Sequence, residues 1–272
     1  MLKIKETNHK LTKYWIRVPI AKRKGGLWLP IKPHQPIDFN CEFCESKILK
    51  KGDDFFIYIV VKKEVEIKQK YSSILTIDLG EKVIATVLLD GKPIFYGKEI
   101  RGIRRHYAWL RKRLGEKKLL KEIKRIGDKE KRAVNQKLHE ISKGIVSLAY
   151  QHDSLILLGD LKGIRKSSKG KRMNRIVSNM PYYKLVKYIE YKAGWEGIKT
   201  IKFVEKHTSH ICSRCGSEGK RVNQGLFKCP NCRYQVNADY NGVKNILNRF
   251  LEYISKDGAA VNQSITLKGE AK

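Results

Sequence analysis

The chain reads SILTIDLGEKVIATVLLDGKPIFY at residues 73–96, and this stretch decides the fold. Its short apolar runs, bounded by turn residues, predict three β-strands, at 73–80, 83–89 and 93–96. Asp90-Gly91, which separates the second run from the third, is typical of a tight hairpin turn. We therefore expect three consecutive strands joined by hairpins.

Helices and strands alternate after these three strands. One helix face is predicted from apolar residues that recur in steps of three and four, at Val134, Leu138, Ile141, Ile145 and Leu148. The pattern continues with a strand at 154–158, a helix at 182–195, a strand at 198–204 and a last helix from about 238 to 253. This order of elements predicts an α/β protein with an RNase H-like fold.

The charge balance predicts a polyanionic partner. The 272 residues include 58 Lys and Arg against 27 Asp and Glu, a formal net charge of +31. Nucleic acid is the first candidate and an anionic membrane surface the second. No segment reaches the roughly 18 apolar residues of a membrane span. Because no apolar run follows residues 1–5, we expect no secretory signal and a cytoplasmic, nucleoid-associated protein.

Cysteines occur in three Cys-x-x-Cys pairs, which in a reducing cytoplasm favour metal binding over disulfides. Two of the pairs can supply four thiolates to one tetrahedral, structural Zn²⁺: Cys212, Cys215, Cys229 and Cys232. The alternative is a set of buried or redox-active thiols.

The third pair, Cys41 and Cys44, has no second pair nearby. Two thiols without metal is the favoured interpretation, and a half-site completed by His34 is the alternative.

Two aspartates are candidate ligands for catalytic Mg²⁺, because metal-assisted phosphodiester hydrolysis needs converging carboxylates. Asp78 ends an otherwise apolar strand, where a charge is costly unless it is paired or metal-bound. Its alternative role is to cap the turn at Gly80. Asp239 opens the last helix, and the helix macrodipole alone would explain an acid at that position.

Several motifs resemble the TnpB (OrfB) family, which is encoded by insertion sequences and related to compact type V CRISPR effectors. They are IDLG at 77–80, GDLKGI at 159–164, TSHICSRCG at 208–216, and Cys229-x-x-Cys232 followed by DYNGVKNI at 239–246. The resemblance covers about residues 71–250. It implies an RNA-guided DNA endonuclease with a RuvC-like site split around a zinc finger. Asp78 and Asp239 would then bind Mg²⁺, and the partners would be DNA and a guide RNA, with no membrane.

The third carboxylate is not where the family pattern has it, because Gly159 occupies the position of the usual glutamate. Relatives with this substitution resemble a variant in which a glutamate just ahead of the zinc knuckle takes the role, and Glu205 is the matching residue. Strands 154–158 and 198–204 are neighbours in an RNase H-like sheet, about 4.8 Å apart, which one glutamate side chain can roughly span. Asp160 is a weaker substitute, since strand alternation points it to the opposite face. In the other interpretation the site is broken, and the protein either only binds nucleic acid or is a truncated, inactive transposon remnant.

Two basic segments are candidate phosphate contacts, residues 101–125 and the loop 166–175. Tyr107 and Trp109 lie within the first, and we expect them to pack against the core rather than stack on bases. The apolar run 55–61 predicts a strand buried on both faces.

The resemblance also suggests a division of the chain. The predicted parts are a β-rich segment similar to the end of a wedge-like domain (1–70), a nuclease core (71–205), a zinc finger (206–235), a last helix (236–255) and a flexible tail (256–272). Relatives usually carry a longer N-terminal portion, so we expect a shortened member of the family.

Overall fold

The computed structural model describes residues 3–21, 23–160, 181–204, 209–223 and 225–257. The predicted positions of Glu205 and of the basic loop 166–175 lie outside these residues. The chain divides into two compact units, Met1–Val65 and Glu66–Lys272.

The first unit consists of small antiparallel sheets. A three-stranded sheet has the order β1 (Lys3–Glu6), β2 (Tyr14–Ile20), β3 (Arg23–Ile31). Two ribbons pair β4 (Glu42–Phe43) with β7 (Val61–Lys62), and β5 (Lys47–Lys51) with β6 (Asp54–Tyr58).

The prediction of a fully buried strand at 55–61 was wrong. The segment is divided between β6 and β7, and Phe55 is 71% exposed. The physical reason is that β6 pairs only with β5, and such a ribbon does not bury both faces of its strands.

The second unit contains a five-stranded mixed sheet of order β10-β9-β8-β11-β12. Its strands are β8 (Ser73–Asp78), β9 (Ala85–Leu89), β10 (Lys92–Tyr96), β11 (Ser154–Asp160) and β12 (Thr200–Val204). The three hairpin-linked strands are antiparallel, whereas β11 runs parallel to both β8 and β12. The expected tight turn is present, because Leu89 pairs with Lys92 and both Asp90 and Gly91 have positive φ. The unit is therefore a mixed α/β fold.

The described part of this unit contains five helices. They are α1 (Lys98–Glu116), α2 (Leu120–Ile126), α3 (Lys129–Gln151), α4 (Tyr182–Trp195) and α5 (Ala238–Asp257). The predicted apolar face of α3 is buried in the core, and α3 packs against α1, α4 and β11. α5 packs over β8 and β9. None of the helices in the described part is both long and apolar enough to cross a membrane.

A small three-stranded antiparallel sheet, the knuckle sheet, lies between β12 and α5 in sequence. It consists of β13 (Lys220–Asn223), β14 (Leu226–Lys228) and β15 (Gln235–Val236). Phe227 is completely buried in it, together with Cys212 and Cys229.

Candidate metal and nucleic-acid site

Asp78 is the last residue of β8, the middle strand of the large sheet. The chain on either side of it is buried at Ile77 and Leu79. Its carboxylate lies against the backbone of α5 at Gly242, where an added Cβ would lie 2.7 Å from Oδ2. The close approach of strand and helix thus depends on a glycine at this position.

Asp239 stands at the start of α5, three residues before Gly242, and residues so spaced share a helix face. The helix begins here because the Asn237 side chain caps it. Asn237 Oδ1 accepts hydrogen bonds from the backbone N–H groups of Asp239, at 2.9 Å, and Tyr240, at 3.1 Å. The two predicted aspartates, from opposite ends of the unit, are therefore brought together where α5 starts over β8.

The two carboxylates act on each other electrostatically. Burial and, after it, the negative charge of Asp239 raise the pKa of Asp78 to about 6. The positive charge of Arg221 opposes this shift, and Arg221 Nη2 lies 2.6 Å from Asp239 Oδ1. Two converging carboxylates whose repulsion one arginine only partly relieves are a donor set suited to a hard divalent cation.

Sequence reasoning missed three groups beside these acids. Arg221 comes from β13 of the knuckle sheet. Tyr182, the first residue of α4, is buried, and its pKa is raised by burial and then by the charges of Glu81 and Asp78. Glu81 forms an ion pair with Arg101 at 3.5 Å. Only Glu81 carried a signal in the sequence, since it stands in the turn directly after the strand of Asp78.

The strand register shows which position lies beside Asp78. Leu158 of β11 is paired with Ile77, so Gly159 is next in register with Asp78. Gly159 is in turn paired with Phe203 of β12. The position at which the family pattern has a glutamate is thus adjacent to Asp78, but a glycine occupies it.

Glu205 lies outside the described residues, as does the side chain of Asp160. Phe203, two residues before Glu205, has its ring 5.5 Å from that of Phe250 and 6.0 Å from that of Tyr253, both on α5.

The four predicted zinc ligands form a cluster. Their sulfur atoms all lie within 4.8 Å of one another: Cys212, Cys215, Cys229 and Cys232. Two of the Sγ–Sγ distances are 3.7 and 3.6 Å. Four thiolates about 2.3 Å from a tetrahedral Zn²⁺ would be about 3.8 Å apart, so the cluster fits this ion. Among the described residues Cys41 and Cys44 belong to no such cluster, and the Cys41 Sγ lies 3.5 Å from Asp38 Oδ2.

Asparagines of α5 fasten the cysteine cluster to the helix that carries Asp239. Asn241 Oδ1 accepts a hydrogen bond from the Ser213 N–H at 2.9 Å, and its Nδ2 donates to the Ile211 carbonyl at 2.7 Å. Asn245 Nδ2 donates to the same Ile211 carbonyl at 2.7 Å. Both asparagines are buried, and these bonds explain why the motif after the second cysteine pair needs them.

The expectation that Trp109 packs against the core was wrong. Its side chain is 55% exposed, and the Arg113 guanidinium lies 5.5 Å from its ring centroid. On α1 the residue falls on the basic, solvent-facing side of the helix, where few apolar neighbours are available. An exposed indole beside arginines is suited to stacking on a nucleobase.

Comparison with known proteins shows the family. A model of the Cas12f1-like TNB domain matches residues 182–246. The TnpB-like protein MJ0751 of Methanocaldococcus jannaschii is 30% identical over 224 residues, which cover 77% of this chain and 80% of that protein. The chain therefore belongs to the TnpB-like family, which is related to the type V CRISPR effectors.

Two further relatives are CRISPR effectors. The CRISPR-associated endodeoxyribonuclease Cas12f1 of Sulfoacidibacillus thermotolerans is 33% identical over 195 residues, 64% of this chain and 45% of that protein. The chain thus spans less than half of this relative. The cryo-EM structure of a Cas12f1-sgRNA-target DNA complex has the same fold, with a TM-score of 0.54 at 20% identity over 75% of this chain and 55% of that chain.

Proposed function

We propose that this protein is a divalent-metal-dependent, RNA-guided DNA endonuclease whose Mg²⁺ ligands are Asp78, Glu205 and Asp239. The observation that carries the proposal is the convergence of Asp78 and Asp239, reflected in the raised pKa of Asp78. Such a pair is unfavourable without a cation, because the charge of Asp239 opposes ionisation of the buried Asp78. Bound Mg²⁺ would supply an activated water and stabilise the leaving oxygen of the phosphodiester.

The fold proposed for this site is RNase H-like, of the RuvC kind, over residues 71–205 and 236–255, with the zinc finger between them. Its support is the strand order, in which three antiparallel, hairpin-linked strands are followed by two parallel ones. Asp78 at the end of the first of these strands and Asp239 at the start of the last helix then face the same groove.

Glu205 as the third ligand is supported by strand alternation. Residues two apart on a strand share a face, and Phe203 faces α5. Continuation of β12 by one residue would direct Glu205 toward the same helix that carries Asp239.

The roles of the neighbouring residues follow from their positions. Arg221 balances the charge of Asp239, and its guanidinium can also bind a phosphate oxygen. Tyr182 closes the site against water from the side of α4 and keeps its proton, because burial and the nearby acids raise its pKa.

The cysteine cluster is proposed to bind structural Zn²⁺. Four sulfurs leave no ligand position for substrate, so its role is to hold β13, and with it Arg221, beside the acids.

DNA and a guide RNA are proposed as partners. The net charge of +31 and the exposed basic face of α1 support a polyanion. The choice of these two polyanions is supported by the relative in complex with single-guide RNA and target DNA. In such complexes base pairing reads the sequence while the protein holds the backbone.

A second candidate is a nuclease-inactive protein that binds nucleic acid. It is favoured by the glycine at the position in register with Asp78, since a site with two carboxylates would hold metal weakly.

The test is purification with co-bound RNA, sequencing of that RNA, and cleavage of a matching plasmid in Mg²⁺. Wild type should cut, and Asp78→Asn and Glu205→Gln should each reduce cleavage by at least about 10²-fold, the scale of losing one charge-stabilising group. Glu196→Gln, at the far end of α4, removes a carboxylate away from the site and should cut normally. Cleavage unaffected by Glu205→Gln would exclude that ligand, whereas binding of RNA and DNA without cleavage by wild type would favour the second candidate.

A further inference from the structure

A basic cavity of about 370 Å³ lies between α1, α3 and the start of α4. Its charged lining residues are Arg104, Arg111, Lys131, Lys184, Asp128 and Glu130. Four cations thus face two carboxylates. The volume falls within the range of about 300–1,000 Å³ typical of ligand pockets.

Half of these charged groups already have partners. Arg111 Nη1 lies 2.6 Å from Glu130 Oε2, and Lys184 Nζ donates a hydrogen bond to Asn135 Oδ1 at 2.7 Å. The first of these pairs neutralises one of the two carboxylates. The cavity therefore keeps an excess of positive charge.

Three of the charged lining groups have no hydrogen-bond or ion-pair partner within the described residues, and of these Asp128 and Lys131 are exposed whereas Arg104 is not. Its Nε is buried and has no hydrogen-bond partner within the described part of the chain. Burial lowers the pKa of the Arg104 guanidinium, although a guanidinium stays charged in proteins. The charge of Glu130 opposes this shift, but the Nε–H itself makes no hydrogen bond within the described residues, and a buried donor left unsatisfied is unfavourable unless a ligand supplies the acceptor.

An anion is the partner that suits this donor, because the cavity holds more cations than carboxylates. Pro181 lines the cavity, and residues 161–180, which precede it in the sequence, contain no aspartate or glutamate. They therefore cannot supply a carboxylate to Arg104.

The cavity adjoins the site of the two aspartates. Pro181 and Lys184 line the cavity. Tyr182 lies between them in sequence, and its pKa is raised by burial and then by the charges of Glu81 and Asp78. On α1, Arg101 pairs with Glu81 one turn before Arg104. A strand positioned at Asp78 would thus pass close to the cavity.

We propose that this cavity binds a backbone phosphate of a nucleic-acid strand, held by Arg104 and Lys184. The inference rests on the proposed function only in taking nucleic acid as the partner. It does not require cleavage.

The experiment measures binding of a labelled DNA oligonucleotide, single-stranded and duplex, as a function of salt. All proteins carry Asp78→Asn and no Mg²⁺ is added, so failure of the nuclease proposal cannot affect the result. Losing one phosphate contact should lower the slope of log K against log salt by about 0.7–0.9. We expect this change for Arg104→Gln and for Lys184→Gln. The matched control is Lys92→Gln, a charge lost at the opposite end of the sheet, beside the hairpin turn, which should leave the slope unchanged.

Thermal melting without DNA separates binding from folding. If Arg104 serves a ligand, Arg104→Gln should melt at the same temperature as its parent or higher, because the unpartnered charge is removed. Slopes unchanged in both cavity variants would overturn the proposal, as would a large loss of stability with unchanged binding. Should Arg104→Gln not fold, Lys184→Gln decides by the same criterion.

The source of the phosphate is tested by NMR of the Arg104 Nε–H resonance, assigned by its absence in Arg104→Lys. We expect the oligonucleotide to shift it and inorganic phosphate at equal phosphate concentration to leave it in place. An equal shift by both would make free phosphate the ligand and overturn the assignment to nucleic acid.

Discussion

Gly242 of α5 lies directly against the carboxylate of Asp78 on β8, with room for a hydrogen but not for a methyl group. A Cβ at position 242 would be 2.7 Å from Asp78 Oδ2 and 3.7 Å from its Cγ. The helix that carries Asp239 can approach the strand that carries Asp78 only because this residue has no side chain.

Gly242→Ala should therefore displace the Asp78 carboxylate and lower Mg²⁺-dependent plasmid cleavage by about 10-fold or more, since misplacement by about 1 Å is that costly. Gly115→Ala is the matched control, because a Cβ there meets nothing within 4 Å. Both variants should fold, as judged by circular dichroism. Equal activity of the two would show that the position of Asp78 does not limit the reaction.

Stability should depend on pH through Asp78. Its pKa is raised from 3.8 to about 6 in the folded state, so the folded protein binds the extra proton and stability is lost as pH rises through this interval. At neutral pH and without added Mg²⁺, Asp78→Asn should be more stable than wild type by on the order of 1–3 kcal/mol. Urea unfolding between pH 4 and pH 8 measures the difference. Identical pH profiles for the two proteins would contradict the raised pKa.

Added Mg²⁺ should stabilise wild type relative to Asp78→Asn. Because a ligand that binds only the folded state stabilises it by mass action, added Mg²⁺ should raise the melting temperature of wild type and leave that of Asp78→Asn unchanged. A shift of equal size in both would place the cation elsewhere.

Removal of one cysteine of the cluster should abolish zinc binding. Purified wild type should contain about one equivalent of zinc, and Cys229→Ser should contain almost none, because structural sites need all four ligands. Cys41→Ser, a cysteine outside the cluster, should keep the full zinc content. Elemental analysis by mass spectrometry distinguishes these outcomes, and zinc lost in both variants would argue for a different ligand set.

Asn241→Ala should weaken the attachment of the knuckle to α5. The Ser213 N–H loses its acceptor, and a buried group left unpaired costs about 1–3 kcal/mol. The Ile211 carbonyl loses one of its two donors and keeps the hydrogen bond from Asn245. Asn8→Ala, at an exposed position of the first unit, is the control and should be nearly neutral. Hydrogen exchange at Ser213 should rise in Asn241→Ala only. Unchanged protection would mean that the helix does not hold the knuckle through this residue.

Local patterns predicted much of the fold. The bounds of α4 agree with the sequence prediction, and the Asp90-Gly91 hairpin formed where two turn residues separate apolar runs. The predictions that were wrong concern the burial of side chains, which depends on neighbours that are distant in sequence. The apolar run that includes Phe55 and the indole of Trp109 are both exposed, because the elements that could cover them do not pack there.

By itself, the sequence determined the cysteine cluster, the alternation of strands and helices, and the two aspartates as candidates, because each depends on spacing within one short segment. Only the tertiary structure decided that Asp78 meets α5 at Gly242, that Arg221 of the knuckle pairs with Asp239, and that Arg104 Nε is buried with no hydrogen-bond partner among the described residues. The physical reason is that these contacts are set by how helices dock on the sheet. That docking depends on the packing of the whole core rather than on the residues beside each group in the chain.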